Sequence, residues 1–454
     1  MVFNEKVLCG LGAELQSTGR LSGEGVERAI RALKRFVALA PGLKVGSLAG
    51  VATAAVRDAE DGAAFCARVN EETGIRLDVA SGQDEARLAA QGVLFGEPRA
   101  NGLVVDLGGA SMELCPVRNG RVGAGVTTPL GPLRLQFEQD AASEIEAELS
   151  GYRERYADTA RRLYLVGGSW RALGRVVIER TGHPLSILHE YAFTAKQARD
   201  VAGFLTGSEP EDLSRLAGVP SGRIDSLPLA GLLLKSLLEM FSTEEIVISG
   251  FGLREGLCFE YLPLATKRED PLISTCIGQE STRARAPGFG RELSRWILEA
   301  LKPEAAEEER LIRAACHLVD VSWRAHPDYR ARSCIEVVTR VNVSGAGHRG
   351  RAYMAAMLLN RYKGGRKAMS AEPVIGLLND EEISRAVAIG ALMRLGCTIS
   401  GATPGYLKRC PLALSSDELL LSPDADADVV MGEEIEKRLT QAARALGVAA
   451  KVVS

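Results

Sequence analysis

The stretch VVDLGGASMEL, residues 104–114, decides the fold of this 454-residue chain. It predicts a buried strand that ends at Asp106, a turn through two glycines, and a second strand with alternating side chains. Glycine motifs of the P-loop and dinucleotide-binding types open a helix instead, and the stretch matches neither of them. We therefore expect a β-hairpin whose tip holds phosphate with successive backbone N–H groups. Asp106 and Glu113 flank the tip and are suited to hold Mg²⁺ directly or through water.

The chain on either side of this hairpin alternates helices with short strands. GEGVERAIRALKRFVALA carries apolar residues at helical spacing behind Ser22, which we expect to cap the helix. Asn119 and Gly120 predict a tight turn after the second strand of the hairpin. Two later stretches, LYLVGGSWRALG (163–174) and IVISGFGLREG (246–256), repeat one theme of strand, glycine turn and helix start. Such turns let the backbone approach a ligand, although each of them alone is better explained as a tight turn.

A change of composition after residue 267 marks a second region of the chain. Residues 269–291 are polar and contain Pro and Gly, and we predict a linker there. Beyond it the apolar periodicity is that of helices, apart from LALSSDELLLSP, which predicts a hairpin. The sequence thus predicts two α/β domains over residues 1–98 and 99–268, the linker, and a mainly helical C-terminal domain over residues 292–454.

The composition excludes several classes of function. The net charge of −3 and the pI near 6.1 give no overall attraction to nucleic acid or to a membrane surface. The nine cysteines include no C-x-x-C pair, which argues against a disulfide framework and against a structural zinc site. We find neither a run of about 18 apolar residues nor a secretory signal, so we expect a cytoplasmic protein without nucleic-acid or membrane partners.

Six segments, taken together and in order, resemble the exopolyphosphatase / guanosine pentaphosphate phosphohydrolase family over about residues 1–265. They are FNEKVLCGLG, VATAAVRDA, ASGQDEARLAAQGV, VVDLGGASMEL, LVGGSWRALG and ISGFGLREGL. HPDYRA and GHRGRAYMAAMLLNRY are similar to the C-terminal region of the longer bacterial members. The resemblance implies two actin-like (ribonuclease H-like) α/β domains around a cleft, followed by a mainly helical, degenerate HD-like domain. It also implies that β-hairpin loops bind phosphate.

The resemblance implies roles for individual residues as well. Glu85 stands where the family has its catalytic glutamate, the general base that activates water against the terminal phosphorus. Arg57 matches a phosphate-binding arginine, whose guanidinium suits phosphate oxygens bidentately. Asp106 and Glu113 match the acids of the hairpin and imply Mg²⁺ as the cofactor. The remaining phosphate-binding positions lie in three glycine turns and are Gly108, Gly109, Ser111, Gly167, Gly168, Ser169 and Gly250.

Without the resemblance, these residues have simpler interpretations. Glu85 lies in the first turn of a helix, where the helix dipole favours acids by about 0.3–1 kcal/mol. Arg57 is equally explained by an ion pair at the edge of a cleft. Ala110 stands where the family has a third glycine, a change that is costly only if its φ angle is positive.

The family also has an earlier phosphate hairpin, roughly D-x-G-S-N-S-x-R-L, before the segment that FNEK matches. The sequence begins at MVFNEK, and we expect the first hairpin to be encoded upstream of that Met. The alternatives are a cloned fragment and a natural chain that has lost activity. Without the hairpin, one side of the phosphate clamp and one edge of the first sheet are uncovered, so we expect weak or no hydrolysis by the chain as given.

The resemblance implies an Mg²⁺-dependent exopolyphosphatase, a hydrolase that releases terminal orthophosphate from inorganic polyphosphate by in-line attack of water. The alternative substrate is guanosine pentaphosphate, pppGpp, which would lose its 5′ γ-phosphate. The length of the chain and its extra helical domain favour the polymer, and we expect a homodimer. An alternative of another class is a non-catalytic sensor of polyphosphate or nucleotide, favoured by the missing first hairpin. A kinase of the actin-like superfamily is the weakest alternative, because the chain has no sugar-binding signature.

The C-terminal region leaves two further interpretations open. His317 and Asp320 in CHLVD, with His326 and His348, have side chains that can bind a metal. The His-Asp doublet is missing, however, and we prefer a degenerate domain without metal. Seven basic residues are candidates for a polyanion path, although such clusters are more often solvated faces. They are Arg283, Arg285, Arg349, Arg351, Lys363, Arg366 and Lys367.

Overall fold

The computed structural model describes residues 3–135, 140–216, 218–340, 343–362, 369, 371–425 and 431–453. The chain divides into two compact units. The first unit comprises Met1–Thr181 and Ala192–Leu262, and the second comprises Gly182–Tyr191 and Pro263–Ser454. The short segment Gly182–Tyr191, here called the crossover segment, therefore packs with the C-terminal part of the chain, although the sequence on both sides of it belongs to the first unit.

Two sheets form the β-structure in the part of the first unit that the structure describes. The strands are β1 (Gly50–Ala52), β2 (Leu77–Val79), β3 (Gly102–Leu107), β4 (Met112–Arg118), β5 (Arg121–Val122), β6 (Val126–Thr128), β7 (Arg162–Val166), β8 (Tyr191–Thr194) and β9 (Glu245–Ile248). β1 and β2 pair in parallel, and the larger sheet has the order β5-β4-β3-β7-β9-β8, with β6 paired to β4. β3, β7 and β9 run parallel, so their carboxyl ends meet at one edge, where open α/β sheets place their ligands.

Some helices of the first unit begin at a capping side chain, namely Ser22, Ser81 and Thr194. The helices of this unit are α1 (Leu15–Thr18), α2 (Gly23–Leu39), α3 (Ala54–Asp58), α4 (Gly62–Thr73), α5 (Gly82–Gly96), α6 (Ala141–Ser150), α7 (Arg153–Tyr156), α8 (Gly168–Thr181), α9 (Ala195–Gly207), α10 (Pro210–Ser214), α11 (Leu227–Met240) and α12 (Leu253–Glu260). Ser22 caps α2 as expected, by accepting from the backbone N–H of Gly25. Ser81 and Asp84 form a reciprocal capping box at the start of α5.

Both turns predicted around β4 are confirmed. β3 and β4 pair antiparallel, and the backbone N–H of Gly108 donates to the carbonyl oxygen of Ser111 at 3.0 Å across the tip. The chain turns again between β4 and β5 at Asn119 and Gly120, whose φ angles are 49° and 74°. Two positive φ angles in succession make the tight hairpin turn that Asn-Gly favours.

α5 and α12 approach each other through glycines. A Cβ added to Gly256 would lie 1.9 Å from the carbonyl oxygen of Leu88, and one added to Gly92 would lie 2.1 Å from the carbonyl oxygen of Gly252. Helix backbones this close leave no room for a side chain at the contact. The contact holds α5, and with it Glu85, against the glycine turn before α12.

The second unit is mainly helical in the residues that the structure describes. Its α-helices are α13 (Leu264–Lys267), α14 (Pro271–Arg283), α15 (Phe289–Leu301), α16 (Ala306–His317), α17 (Arg330–Arg340), α18 (Gly347–Tyr362), α19 (Asp380–Ser400) and α20 (Glu433–Leu446). Its strands are β10 (Leu412–Leu414), β11 (Glu418–Leu421) and β12 (Ala449–Val452). β10 and β11 form the predicted antiparallel hairpin, and β12 adds in parallel to β11.

Residues 269–291 do not form the linker that the sequence predicted. Most of them belong to α14, which buries Leu272 and Cys276 in the core of the second unit. Asp270 caps this helix by accepting from the backbone N–H of Leu272 at 2.9 Å. Pro271 occupies the first turn, where the missing N–H of proline costs nothing. The polar residues and the proline therefore mark the start of a helix.

A carboxylate and a histidine hold the crossover segment in the second unit. Glu190, with a φ angle of 61°, accepts hydrogen bonds from the backbone N–H groups of Gly345 and Gly347, the latter at 2.6 Å. His183 Nε2 and His348 Nδ1 lie 2.7 Å apart. The segment is thus anchored at both of its ends to the start of α18.

Among the described residues, one helix is long and apolar enough to span a membrane by length and composition, and it is α19. In this helix 61% of the most apolar window is buried inside the protein. A core helix of a soluble protein meets the same criterion, so α19 is weak support for a membrane span.

Candidate active site

Three carboxylates of the first unit come together at the edge of its larger sheet. Asp106 lies near the end of β3, Glu113 lies directly opposite it on β4, and Glu85 lies in the first turn of α5. Glu113 is 3% exposed and Glu85 is 7% exposed, whereas Asp106 is partly accessible. The register of the hairpin therefore pairs two acids, and the start of α5 adds a third.

The surroundings raise the pKa of all three carboxyl groups. Burial is the largest cause in each case. The charges of Glu113 and Glu85 then raise the pKa of Asp106 further above its ordinary value. The pKa of Glu113 rises to about 7, because burial outweighs the hydrogen bonds from Ser111 and from Thr127, which donates at 2.9 Å. Carboxylates grouped in this way favour a bound cation or a proton.

The pair of Asp106 and Glu113 fits a magnesium ion. Asp106 accepts no hydrogen bond from the residues that the structure describes, so a carboxylate whose pKa is raised by burial is left without a donor. Groups of three or more His, Cys, Asp or Glu side chains placed to hold a metal are absent from these described residues. Mg²⁺ commonly binds through one or two carboxylates, with waters and substrate phosphates as its other ligands. Two opposed carboxylates therefore suit an ion that substrate and water help to hold.

Arg57 reaches Glu85 from the end of α3. Its Nη1 donates to Glu85 Oε1 and, at 2.8 Å, to the carbonyl oxygen of Ala80, while its Nε donates to Asp58 Oδ1 at 3.2 Å. Nη2 has no hydrogen-bond partner in the described part of the chain, and the side chain is 27% exposed. The ion pair that was the simpler interpretation of Arg57 is present, and two N–H groups remain available to an anion.

The tip of the hairpin exposes backbone beside these acids. Gly108 and Gly109 are exposed, and Ala110 is not among the described residues with a positive φ angle. Alanine in place of a third glycine therefore brings no strain. Ser111 is 7% exposed, and its hydroxyl hydrogen-bonds to Glu113. The tip thus offers backbone to a ligand, whereas Ser111 supports the acid.

The glycine turn before α8 contacts the end of β3. Gly167 has a φ angle of 120°, and a Cβ there would lie 2.5 Å from the carbonyl oxygen of Leu107 and 3.3 Å from Asp106 Oδ1. Both the conformation and the contact require glycine. Ser169 is 2% exposed and donates to Ser226 Oγ at 3.2 Å, so its hydroxyl serves the protein interior. Of this turn, only Gly167 is shown to lie against an acid of the site.

Three cations near this edge were missed from the sequence. A Cβ added to Gly168 would lie 2.7 Å from Arg223 Cζ. Arg171 Nη1 donates to the carbonyl oxygen of Gly250 at 3.2 Å. Lys6 lies close enough to Arg223 and Arg171 for their charges, after burial, to lower its pKa. A bound anion would reduce the repulsion among these positive charges. The two later glycine turns therefore have cationic side chains beside them as well as backbone groups.

Comparison with known protein families identifies the family of the chain. A model described as the Ppx/GppA phosphatase family matches residues 1–265. The chain belongs to the Ppx/GppA phosphatase family. A second model, described as exopolyphosphatase, C-terminal, matches residues 276–453. The resemblance that the motifs carried is confirmed, and Ppx/GppA phosphatase membership accounts for an α/β N-terminal region followed by a mostly helical C-terminal domain.

Two curated proteins illustrate the range of relatives. Retrograde regulation protein 2 of Saccharomyces cerevisiae is 26% identical over 380 residues, which cover 75% of this chain and 63% of the yeast protein. Exopolyphosphatase 1 of Mycobacterium tuberculosis is 24% identical over 283 residues, which cover 57% of this chain and 79% of that protein. The chain therefore spans less than two thirds of the length of its yeast relative.

Solved structures of similar proteins confirm the predicted fold class. An exopolyphosphatase from Cytophaga hutchinsonii has a TM-score of 0.52 at 23% identity, covering 57% of this chain and 88% of its own. The Aquifex aeolicus member of the Ppx/GppA family has a TM-score of 0.50 at 24% identity, covering 58% of this chain and 88% of its own. At this identity the likeness shows the fold alone, and it agrees with the predicted actin-like α/β architecture.

The C-terminal residues considered for a metal site do not come together. His317 Nδ1 lies 2.6 Å from Glu280 Oε2, and Asp320 accepts two hydrogen bonds from an arginine side chain at 2.7 and 3.0 Å. His326 is exposed, and His348 contacts the crossover segment. Within the described ranges no cluster that could hold a metal is found. Among the described residues, these four side chains therefore do not form one common site.

Most of the basic residues considered for a polyanion path are engaged inside the second unit. Arg285 and Arg349 each donate two side-chain hydrogen bonds to a carboxylate. Arg351 is 0% exposed and donates to the carbonyl oxygen of Val338 at 2.7 Å. Arg283 donates to a glutamine of its own helix at 3.2 Å. The side chains of Arg283, Arg285 and Arg349 are nevertheless exposed, whereas Arg351 is a core residue that neither interpretation foresaw. Lys363, Arg366 and Lys367 lie outside the described residues.

Proposed function

We propose that this chain is a hydrolase that releases terminal orthophosphate from inorganic polyphosphate. The observation that carries the proposal is the contact of Arg57 with Glu85 beside the opposed Asp106 and Glu113. In phosphoryl transfer the protein contributes little covalent chemistry, and catalysis depends on correctly placed charges and a correctly placed nucleophile. A guanidinium, a pair of metal-binding acids and a third acid supply these groups around one hairpin tip.

Glu85 is the proposed general base. Burial raises its pKa, which suits a carboxylate that must take a proton from water near neutral pH. Arg57 holds this carboxylate, and its free Nη2 N–H groups are available to the terminal phosphate. A phosphate that drew the guanidinium away from Glu85 would also make the carboxylate more basic.

Asp106 and Glu113 are the proposed ligands of Mg²⁺. When bound, the ion would neutralise phosphate charge and orient the terminal group for attack. Lys6, Arg171 and Arg223 are suited to the inner phosphates of the substrate, because each phosphate added to a polyanion needs further compensating charge.

Inorganic polyphosphate is preferred to pppGpp as the substrate because of the relatives. The second unit matches a C-terminal exopolyphosphatase model, and the mycobacterial relative is named exopolyphosphatase 1. The two substrates end in the same phosphoanhydride, so pppGpp is the alternative. A cytoplasmic location and a homodimeric state stay predictions from the sequence.

Phosphate release from long-chain polyphosphate and from pppGpp, with and without Mg²⁺, tests the proposal. We expect Glu85→Gln to lower turnover by about 10²–10⁴-fold, because it removes the proton acceptor and keeps the shape. Glu71→Gln is the matched control, since it makes the same change at an exposed acid of α4. Undiminished turnover by Glu85→Gln would contradict the role of Glu85. Release from pppGpp alone would overturn the preference for the polymer.

A second candidate function is a non-catalytic sensor of polyphosphate or nucleotide. The similarity to retrograde regulation protein 2, whose name describes a regulator, favours it. The phosphate-release assay separates the two functions when it is combined with calorimetry. A sensor would bind polyphosphate with measurable heat and release no phosphate in the presence of Mg²⁺.

A further inference from the structure

The loop after β6 packs on the tip of the phosphate hairpin. A Cβ added to Gly131 would lie 2.2 Å from the carbonyl carbon of Ala110, so the two backbones are in contact. The backbone N–H of Leu133 donates to the carbonyl oxygen of Gly109 at 2.8 Å. Arg134 follows directly, and its own N–H donates to the carbonyl oxygen of Gly131 at 2.9 Å. The backbone of Arg134 is therefore placed by the hairpin tip.

The side chain of Arg134 reaches the helix that carries Arg57. Its Nη2 pairs with Asp58 Oδ2 at 2.5 Å, across a sequence separation of 76 residues. The other carboxylate oxygen, Asp58 Oδ1, accepts from Arg57 Nε at 3.2 Å. The Asp58 carboxylate thus links Arg134, whose backbone lies on the tip, to Arg57, which contacts Glu85.

We propose that Arg134 is a positioning residue that sets the guanidinium of Arg57 relative to the hairpin tip. The inference rests on the proposed function, because it concerns how the site for the terminal phosphate is assembled. Arg57 is held by Asp58 at Nε and by Glu85 and the carbonyl oxygen of Ala80 at Nη1, and these contacts together fix the direction of its free Nη2. Arg134 holds the other oxygen of the Asp58 carboxylate, and without that contact Asp58 is free to rotate away from Arg57 Nε, which leaves the guanidinium held at Nη1 alone.

The exposure of the ion pair between Arg134 and Asp58 indicates whether the pair stabilises the fold or only positions Arg57. The side chains of Arg134 and Asp58 are 40% and 28% exposed. Ion pairs with this degree of exposure contribute little to folding stability, because water and salt screen them. Loss of Arg134 should therefore be visible in phosphate binding and leave the melting temperature almost unchanged.

A double-mutant cycle on tripolyphosphate binding tests the proposal without requiring turnover. Binding is measured by calorimetry on the full chain with Mg²⁺, in a Glu85→Gln background that suppresses hydrolysis. We expect Arg134→Gln to weaken binding by about fivefold to tenfold, and Arg57→Gln to weaken it more. Because Arg134 acts through Arg57, adding Arg134→Gln to Arg57→Gln should change the affinity by less than about twofold.

Two further variants complete the cycle. Arg161→Gln is the matched control, because it breaks an exposed ion pair with Glu244 just before β7 and β9, at the ends of these strands away from the site. It should leave tripolyphosphate binding unchanged. Arg134→Lys keeps the charge and should recover part of the lost affinity.

The outcomes distinguish the inference from the function on which it rests. An Arg134→Gln effect of the same size in the Arg57→Gln background would overturn the positioning role and point to general support of the loop. Unchanged binding by Arg134→Gln would overturn it as well, while the proposed function would stand. Absence of tripolyphosphate binding by the Arg134-intact chain would refute the proposed function, and the inference with it.

Discussion

At the scale of single residues, Asp106 has two acidic neighbours and no hydrogen-bond donor in the described part of the chain. Glu113 opposes its charge across the hairpin, Glu85 opposes it from α5, and Arg171 offsets part of the repulsion. An ionised carboxylate in these surroundings costs free energy until a cation or a proton arrives. Asp106 is therefore poorly suited to stabilising the fold and well suited to binding a metal.

We expect Asp106→Asn to raise the melting temperature of the metal-free chain, because it removes a charge that its neighbours repel. If Asp106 is a ligand of Mg²⁺ as proposed, the ion should stabilise the wild type by about 2.7 kcal/mol at a concentration of 100 Kd, and the variant should lose this gain. Thermal unfolding with and without Mg²⁺ measures both effects. Asp78→Asn, at an exposed acid on β2, is the control and should change neither. Equal Mg²⁺ shifts in the wild type and Asp106→Asn would place the ion elsewhere.

Sequence motifs locate the acids of the site and miss most of its cations. Glu85 and Asp106 adjoin buried elements with recognisable caps and turns, so short segments identify them. Arg171 lies within the quoted GGSWRALG, three residues after Gly168, and its place in that motif could have been used. Arg134 acts on a carboxylate 76 residues away, and Arg223 lies in a short 3₁₀ stretch without periodicity. Their roles arise only when the chain is folded.

At the scale of elements, the placement of α5 depends on the absence of a side chain at Gly256 of α12. Gly256 brings α12 against the backbone of α5 at Leu88, one turn beyond Glu85. The capping box at Ser81 fixes the start of the same helix. The capping box thus sets the residue at which α5 begins, and the contact with Gly256 sets where the helix lies. Both contacts are needed to hold Glu85 near Asp106.

We expect Gly256→Ala to destabilise the first unit by about 1–3 kcal/mol, because a Cβ 1.9 Å from a backbone oxygen forces α5 and α12 apart. Activity should fall as well, since α5 carries Glu85. Chemical denaturation and the phosphate-release assay measure the two effects. Gly203→Ala, in the middle of α9 with nothing within 4 Å, is the control. It should stabilise by about 0.4–1 kcal/mol, and a similar gain for Gly256→Ala would contradict the close contact.

Local signals explain which elements were predicted correctly. The β3–β4 hairpin, the Asn119–Gly120 turn and the β10–β11 hairpin each depend on neighbouring residues, and all three are confirmed. The start of α14 at Asp270 and Pro271 was mistaken for a linker, because acid and proline serve equally as a cap and as a loop signal. The strand β12 pairs with β11 from a position beyond α20, which no local pattern predicts.

At the scale of the whole molecule, the crossover segment is joined to α18 by a histidine pair. Burial lowers the pKa of His348 to about 3, and the charges of His183, Arg351 and His189 contribute to the shift. Burial lowers the pKa of His183 as well. Both rings are therefore neutral in the folded second unit at neutral pH, and in the short contact between them one ring nitrogen donates and the other accepts.

We expect the second unit to lose stability as the pH falls below 6.5, the ordinary pKa of His348. Between that pH and about 3 the unfolded chain binds a proton that the folded chain does not, so acid favours unfolding. By pH 5 the loss should reach about 1–2 kcal/mol. Hydrogen exchange of α18 peptides at pH 7 and pH 5, corrected for the intrinsic rates, measures it. His348→Asn should flatten this dependence, and the exposed His326→Asn should not. An equally steep dependence in His348→Asn would contradict the assignment.

The crossover segment has a consequence for how the gene can be rearranged. A recombination point at codon 263 would leave Glu190 on one parent and its partners Gly345 and Gly347 on the other. Leu185, which belongs to the core of the second unit, would then meet a foreign surface. Viable chimaeras between family members should therefore inherit two coding segments together, Gly182–Tyr191 and the region after Leu262. A library of crossovers sorted for folded protein would show this linkage as co-inheritance of codons far apart in the gene.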